Sequence, residues 1–318
     1  MLGKDVLLQR ICYKNVPNYS IEIFSAVLIY DKLILYIVIK GAMKLNYITL
    51  NNGVKMPQLG YGVFKVTHDE VKEAVTHALN AGYRSIDTAQ YYENEAGVGE
   101  AIRESDIPRE EIFVTTKVWN SHHGYDKTLE AFEQSLSLLG LDYIDLYLVH
   151  WPTPKFDLYV ETYQALEKLY RDGRVKAIGV SNFHIEHLER ILDECEIVPV
   201  VNQVECHPYL QQKELKQFCK QHNIALEAWS PLFKGGEVLQ DTVIQEIAQK
   251  YNKTAAQVIL RWHIQEDTII IPKSVTPSRI QENIDVFHFF LTDEEMEKIA
   301  QLNRNERVGK DPNDMHAR

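Results

Sequence analysis

From Tyr47 onward the chain alternates between two hydrophobic rhythms. Short runs rich in β-branched residues, the pattern of buried strands, are each followed by a stretch whose apolar positions recur every three or four residues, as on a helix with one packed face. The predicted pairs begin with Leu59 to Val63 and a helix after Asp69, Ser85 to Thr88 and Glu95 to Glu104, Ile112 to Val118 and Lys127 to Leu139, and Ile144 to His150 and Leu158 to Arg171. They continue with Val175 to Val180 and Ile185 to Glu194, Pro199 to Val204 and Gln212 to His222, Ala225 to Trp229 and Thr242 to Tyr251, and Thr268 to Ile271 and Pro277 to Val286. In front of them, Tyr47-Ile-Thr-Leu50 and Val54-Lys-Met-Pro57 flank Asn51-Asn52-Gly53, which is the turn chemistry of a β-hairpin. Eight strand-helix pairs without a linker between them suit a single α/β domain, a closed eight-stranded parallel β/α (TIM) barrel, better than two doubly wound domains. An open dinucleotide-binding sheet would also carry Gly-x-Gly-x-x-Gly after its first strand, and Gly60-Tyr-Gly62-Val-Phe-Lys65 breaks that pattern at its last position.

Composition narrows the class further. Of 318 residues, 34 are Lys or Arg against 45 Asp or Glu, a formal charge of −11, and no basic run is present. Nucleic acid and anionic membrane surfaces are therefore poor partners, because binding to either runs on clustered cations. Cys12, Cys195, Cys206 and Cys219 form neither a Cys-x-x-Cys pair nor a metal-like spacing with histidine, so the expectation is reduced thiols, no metal and a cytoplasmic setting. Phe24 to Tyr30 and Leu33 to Ile39 are apolar, but Asp31 and Lys32 divide them and neither run is long enough to span a bilayer. Residues 1–42 are read as an extension outside the native protein, and 43–318 as one barrel domain.

In such a barrel, chemistry collects at the carboxyl ends of the strands. Asp87 ends the second strand, Tyr92 follows in the same loop, Lys117 ends the third and His150 the fourth. Taken singly, Asp87 and Lys117 read more readily as a helix cap or a solvated group, and His150 reads either way. Together they describe a proton relay. A phenol becomes a usable acid near neutral pH when an adjacent ammonium favours its phenolate, and Lys117 supplies that charge while Asp87 holds the lysine. A neutral His150 would orient a substrate oxygen within reach of Tyr92. The set has no activated nucleophile with a base, which disfavours hydrolysis but suits protonation of a carbonyl oxygen while another group attacks the carbon, a hydride being one that could.

Near the carboxyl end, Ile269-Ile-Ile-Pro-Lys273-Ser-Val-Thr276-Pro277-Ser-Arg279 reads as a strand, a loop and a helix with Thr276 as N-cap and Pro277 as first residue. Lys273 and Arg279 there make an anion site suited to phosphate, or else a pair of solvated cations on a capped helix.

At these residues the chain resembles the aldo-keto reductase superfamily, in particular the small bacterial reductases of glyoxal-reductase and 2,5-diketo-gluconate-reductase type. The resemblance runs from about Tyr47 to Val308 and rests on Gly82-Tyr-Arg-Ser-Ile-Asp87-Thr-Ala-Gln-Tyr-Tyr92-Glu-Asn-Glu, Val114-Thr-Thr-Lys117-Val-Trp119, His150-Trp151-Pro152, Gly179-Val-Ser181-Asn182-Phe, Asn202-Gln203-Val-Glu205 and Ile271-Pro-Lys273-Ser274. The family's catalytic tetrad falls on Asp87, Tyr92, Lys117 and His150 without a substitution.

The resemblance implies a barrel closed at the bottom by the hairpin, with NADPH/NADP+ lying across the top. Ser181, Asn182 and Gln203 would bond the nicotinamide amide, and Trp229 would stack on the ring where many relatives have tyrosine. Ser230 and Leu232 would contact the pyrophosphate, Lys273, Ser274 and Arg279 the 2′-phosphate, and Glu282 and Asn283 the adenine. Phe64, Trp119 and Trp151, with His150, would wall a shallow pocket open to small aldehydes, ketoaldehydes and keto-sugars. It further implies a monomer, with Met43 standing where small relatives begin. Two other readings stay open at this point: an NADPH-binding accessory subunit with little turnover, and a Schiff-base aldolase using Lys117.

Overall fold

The computed structural model describes residues 45–317; the expected extension and Met43 lie outside them. The described chain opens with an antiparallel hairpin, β1 (Tyr47–Thr49) and β2 (Lys55–Pro57), in which Ile48 pairs with Met56. Eight further strands follow in a parallel sheet whose order is the chain order: β3 (Tyr61–Gly62), β4 (Ser85–Asp87), β5 (Phe113–Val118), β6 (Ile144–Val149), β7 (Val175–Ser181), β8 (Val201–Glu205), β9 (Ala225–Trp229) and β10 (Ile269–Ile270). The outer strands meet. Leu59 pairs in parallel with Ile270, the Ile270 N–H donates to the Gln58 carbonyl at 2.9 Å, and the Gly60 N–H donates to the Ile270 carbonyl at 2.8 Å. The sheet thus curls into the predicted (β/α)8 barrel, and the buried strands carry the Val, Ile and Leu runs that such a sheet needs.

The helices between the strands are α1 (His68–Ala81), α2 (Glu95–Arg103), α3 (Tyr125–Leu139), α4 (Tyr159–Arg171), α5 (Ile185–Glu194) and α6 (Lys213–Gln221), each within two residues of its predicted bounds. The last crossover departs from expectation, because it holds two helices, α7 (Thr242–Tyr251) and an unpredicted α8 (Ala255–Gln265). Positions Val258 to Ile264 of α8 are all buried, so no polar face betrays the helical period. Its signal was the start: Thr254 and Gln257 form a reciprocal capping box. After β10 come α9 (Pro277–Ile284) and a second unpredicted helix, α10 (Asp293–Ala300), which opens with a capping box between Thr292 and Glu295.

The hairpin seals the amino ends of the strands. Leu50 and Met56 pack with Phe113, Leu146, Ala177, Val201 and Ile269, and the side-chain amides of Asn51 and Asn52 donate to the carbonyls of Pro199 and Lys176 at 3.1 and 3.0 Å. One end of the barrel is therefore plugged with apolar side chains, which leaves the carboxyl ends for chemistry.

Around the barrel, α2 crosses the end of α3 so closely that a Cβ on Gly99 would overlap the Leu139 carbonyl, to which the Arg103 guanidinium also donates. An alanine inside a helix ordinarily gains up to about 1 kcal/mol over glycine. At Gly99 the overlap is with backbone, which cannot rotate away. Gly99→Ala should instead lower stability by about 1–3 kcal/mol, the usual cost of overpacking, and lower Tm in calorimetry; an unchanged or higher Tm would mean that the two helices separate freely.

Candidate active site

Period-two alternation decides which strand residues enter the barrel. On β5, Thr116 turns outward and donates to Glu95 of α2 at 2.6 Å, so Thr115 and Lys117 point inward. On β4, β8 and β9 the same alternation brings Asp87, Gln203 and Glu227 to the level of Lys117. Its Nζ donates to Asp87 Oδ1 at 2.7 Å, Asp87 Oδ2 at 2.9 Å and the Thr88 carbonyl at 2.8 Å, which uses all three ammonium protons. Gln203 Nε2 bridges Asp87 Oδ2 and Glu227 Oε2, both at 2.8 Å. All four side chains are buried.

Burial works against the Lys117 proton, but the opposing charge and hydrogen bonds of Asp87 lead the effects that outweigh it and hold the ammonium above its ordinary pKa. A protonated amine cannot attack a carbonyl, so the geometry speaks against a Lys117 Schiff base. Glu227 moves the other way: burial, reinforced by the charge on Asp87, raises its carboxyl far above the usual range and favours the neutral form.

Tyr92 sits above this layer on a single turn of 3-10 helix, Gln90–Tyr92. Two anchors fix that loop. The Asn94 amide donates to the carbonyls of Val63 and Val66, at 3.1 and 3.0 Å, while accepting from the Thr88 hydroxyl at 2.7 Å, and the Trp119 N–H donates to Gln90 Oε1 at 3.0 Å. Lys117 Nζ lies 5.1 Å from the centre of the Tyr92 ring. Burial pushes the phenol up to about 12, and the pull of Lys117 toward the phenolate, the effect expected from the sequence, only partly offsets it. The group is consequently a neutral proton donor at pH 7.

The His150 ring stands edge-on to Tyr92, with centroids 5.7 Å apart, and its Nδ1 is buried with no hydrogen-bond partner among the described residues. Burial first, then Lys117 and His123, depress its pKa well below 6.5, so the imidazole is neutral as expected. Around the pair stand Phe64, 5.0 Å from the Tyr92 ring, Trp119, 5.1 Å from His150, and Trp151, nearly parallel to His150 at 6.5 Å. Tyr91, not among the expected residues, stacks on Trp119 at 3.9 Å and is half exposed. The predicted catalytic and substrate-wall residues thus converge on one mouth.

The residues expected to hold a cofactor form two groups. Beside His150, the Asn182 amide donates to the His150 carbonyl at 2.9 Å, its Oδ1 accepts from the Trp229 indole at 2.7 Å, and the Ser181 hydroxyl donates to the Gln203 carbonyl at 2.9 Å. Asn182 and Ser230 both adopt positive φ, 63° and 49°, a cost that non-glycine residues bear most often at functional sites. Leu232 follows Ser230 in the same loop, half-buried. The second group, Lys273, Ser274 and Arg279, lies at the start of α9 with both cations exposed. Thr276 is the N-cap and Pro277 the first residue, as predicted, but the Thr276 hydroxyl accepts from Arg279 at 3.0 Å rather than from the helix backbone. Asn283 is buried, and the Glu282 carboxylate is already engaged by the Thr254 hydroxyl at 2.8 Å.

A family model described as the aldo/keto reductase family matches residues 53–304. The chain belongs to that family. This aldo/keto reductase, an oxidoreductase by that membership, is 57% identical over 270 residues to the 9,11-endoperoxide prostaglandin H2 reductase of Trypanosoma cruzi, covering 84% of this chain and 95% of that protein. It is 55% identical over 269 residues to the glyoxal reductase of Bacillus subtilis, covering 84% and 96%. Among solved structures, a mutant of Gox0644 in complex with NADPH superposes with a TM-score of 0.82 at 50% identity, over 86% of this chain and 99% of that one.

Three features of this reductase escaped the sequence: Glu227, Tyr91 and the role of Gln203 as a bridge between two carboxyl groups. An acid in the middle of the apolar strand Ala225–Trp229 was a legible signal for the first.

The depressed His150 pKa has a measurable sign. As pH falls through about 6.5 the unfolded chain takes up a proton that the folded chain refuses, so this group costs stability by up to about 1.4 kcal/mol per pH unit. His150→Gln should lose less stability than wild type between about pH 7.5 and 5 in urea unfolding. Parallel curves for the two proteins would mean that His150 is charged in the fold.

Proposed function

We propose that this aldo/keto reductase uses NADPH to reduce small aldehydes, ketoaldehydes or keto-sugars to alcohols, with Tyr92 as the proton donor. The observation that carries the reading is a neutral, partly exposed phenol set between an ammonium that cannot leave, Lys117 on Asp87, and a neutral imidazole with a free buried nitrogen.

The chain fits the cofactor at both of its ends. His150 Nδ1 is a buried polar atom awaiting a partner, the neighbouring Ser181, Asn182 and Trp229 form a polar and aromatic wall, and Lys273 and Arg279 place two cations at a helix N-terminus. Asn182, Ser181, Gln203 and Trp229 would hold the nicotinamide, Ser230 and Leu232 the pyrophosphate, and Lys273, Ser274, Arg279, Glu282 and Asn283 the adenosine 2′-phosphate end. Bound NADPH supplies a hydride to the carbonyl carbon.

The protein's part is to prepare the oxygen. His150 orients the carbonyl oxygen toward the Tyr92 hydroxyl, and the phenol gives up its proton as negative charge builds on that oxygen. Lys117 stabilises the phenolate left behind, and Asp87 keeps the ammonium in place. Glu227, held toward its neutral form, avoids a second negative charge that would oppose this step. Because Phe64 and Tyr91 are half exposed, the mouth is broad and aromatic, which favours small polar carbonyls over one tightly enclosed substrate. The names of the relatives, one for glyoxal and one for a prostaglandin endoperoxide, support a tolerant site.

The test follows NADPH absorbance with methylglyoxal as substrate. Wild type should turn over and Tyr92→Phe should lose about 10²–10⁴ in kcat, the worth of a positioned general acid, with NADPH affinity unchanged. Wild-type rates from the Phe variant would remove Tyr92 from the mechanism, and tight NADPH binding without turnover of any small carbonyl would favour the accessory-subunit reading. In the same assay Arg279→Ala should raise KM for NADPH about tenfold, roughly one charge-assisted phosphate contact, and leave KM for NADH unchanged. Equal effects on both cofactors would place Arg279 away from the 2′-phosphate.

A further inference from the structure

A strap formed by the last residues of the described chain crosses the open face of the barrel. The N–H groups of Arg304 and Glu306 donate to the Tyr209 carbonyl at 3.1 and 3.0 Å, and the Arg304 guanidinium lies 3.6 Å over the Tyr209 ring. Val308 and Gly309 then donate their N–H groups to the two oxygens of Glu205, at 2.6 and 2.8 Å, and Lys234 Nζ donates to the Val308 carbonyl at 2.5 Å. Farther on, Asp311 meets His184 Nε2 at 3.0 Å and the Ala317 carbonyl accepts from Asn120 at 2.9 Å.

Glu205 is the anchor of the central contact. It is the last residue of β8, buried, and also meets His207 Nε2 at 2.9 Å. A buried carboxylate is costly unless several donors satisfy it, and two of its three side-chain partners are backbone N–H groups of the strap. The His207 contact first, and then these two N–H groups, hold its carboxyl below the usual range despite burial.

The strap segment that Glu205 fastens touches Trp229. A Cβ on Gly309 would overlap Cη2 of that indole and lie 2.8 Å from Glu205 Oε2, so the bare glycine backbone is packed on the ring edge. Asn182 holds the same indole by its N–H. Trp229 is gripped at its pyrrole nitrogen by Asn182 and at its six-membered ring by Gly309.

We propose that Glu205 is a positioning residue: by fastening Val308 and Gly309 it seats the strap against Trp229 and fixes the indole in the orientation that receives the nicotinamide. This rests on the cofactor reading above. The strap then belongs to the cofactor site although it contributes no polar side chain there, and its grip acts on affinity for NADPH rather than on proton transfer.

Two variants test it, Glu205→Gln, which weakens the two-pronged acceptance, and Gly309→Ala, which keeps the Glu205 carboxylate and its His207 partner but sets a methyl against the Trp229 ring and Glu205 Oε2 and so pushes the strap away from both. Folding of each is checked by thermal unfolding, and Gly309→Ala carries the test alone if the buried Glu205 variant does not fold. The emission of Trp229, taken as the difference from a Trp229→Phe background, is titrated with acrylamide without cofactor, and NADPH affinity and steady-state kinetics are measured beside it.

Trp229 should become more quenchable and Kd for NADPH should rise about tenfold, equivalent to about 1.4 kcal/mol, with kcat at saturating NADPH kept within about twofold. Folded variants with wild-type quenching, or with altered quenching and unchanged Kd, overturn the proposal. A loss confined to kcat overturns it as well. Wild-type protein that does not bind NADPH overturns the proposed function and this role with it, whereas wild-type binding matched by both variants overturns this role alone.

Discussion

The ion pair between Lys117 and Asp87 is the constraint to which the rest of the site answers. Two charges with almost no exposure would be a liability in an apolar barrel. The pair survives because every donor on the ammonium is used and because Gln203 closes the remaining side of the carboxylate. It then works with burial on each neighbour. Burial keeps His150 neutral, and the positive charge of Lys117 adds to that effect while opposing the rise that burial imposes on the Tyr92 pKa. Burial likewise raises Glu227, and the negative charge of Asp87 reinforces it. One placed charge pair therefore biases the protonation of three further buried groups.

That arrangement is a property of the strand period as much as of the residues. Lys117, Asp87, Gln203 and Glu227 come from four different strands, and each faces inward only because its neighbours face outward. The two ends of the barrel divide the work. At the amino ends the hairpin supplies Leu50 and Met56 to an apolar plug. At the carboxyl ends the buried polar layer lies beneath an aromatic mouth and a strap held by backbone hydrogen bonds.

Much of this was legible in the sequence, and what was not has definite causes. The strands and most helices announced themselves because their faces differ, as in α5, where Leu188 and Ile191 are buried between exposed acids. Helix α8 was hidden for the opposite reason, being wrapped on all sides by protein. Asp87, Lys117 and His150 were readable because they stand at strand ends, where a polar side chain breaks an apolar run, and Tyr92 follows Asp87 in the same loop. The bridge that the Gln203 N–H groups make between two carboxyl groups was not legible, because it depends on register across three strands; its Oε1 takes no part in that bridge. The Glu205 grip on residue 309 was beyond reach, since backbone N–H groups leave no mark in a sequence.

The closure of the barrel has a consequence for how the chain reaches this state. The seam between its first and last strands is short, and it joins Gln58 to Thr268 and Ile264 across 210 and 206 residues of sequence. Until Ile270 has been synthesised, the partner of the Leu59 segment does not exist, and a nascent chain must carry an open sheet edge through most of its translation. Such late, long-range closure makes folding slow and leaves that edge exposed to other chains. Closure of the barrel thus waits on its last strand, Ile269–Ile270, rather than on any local contact.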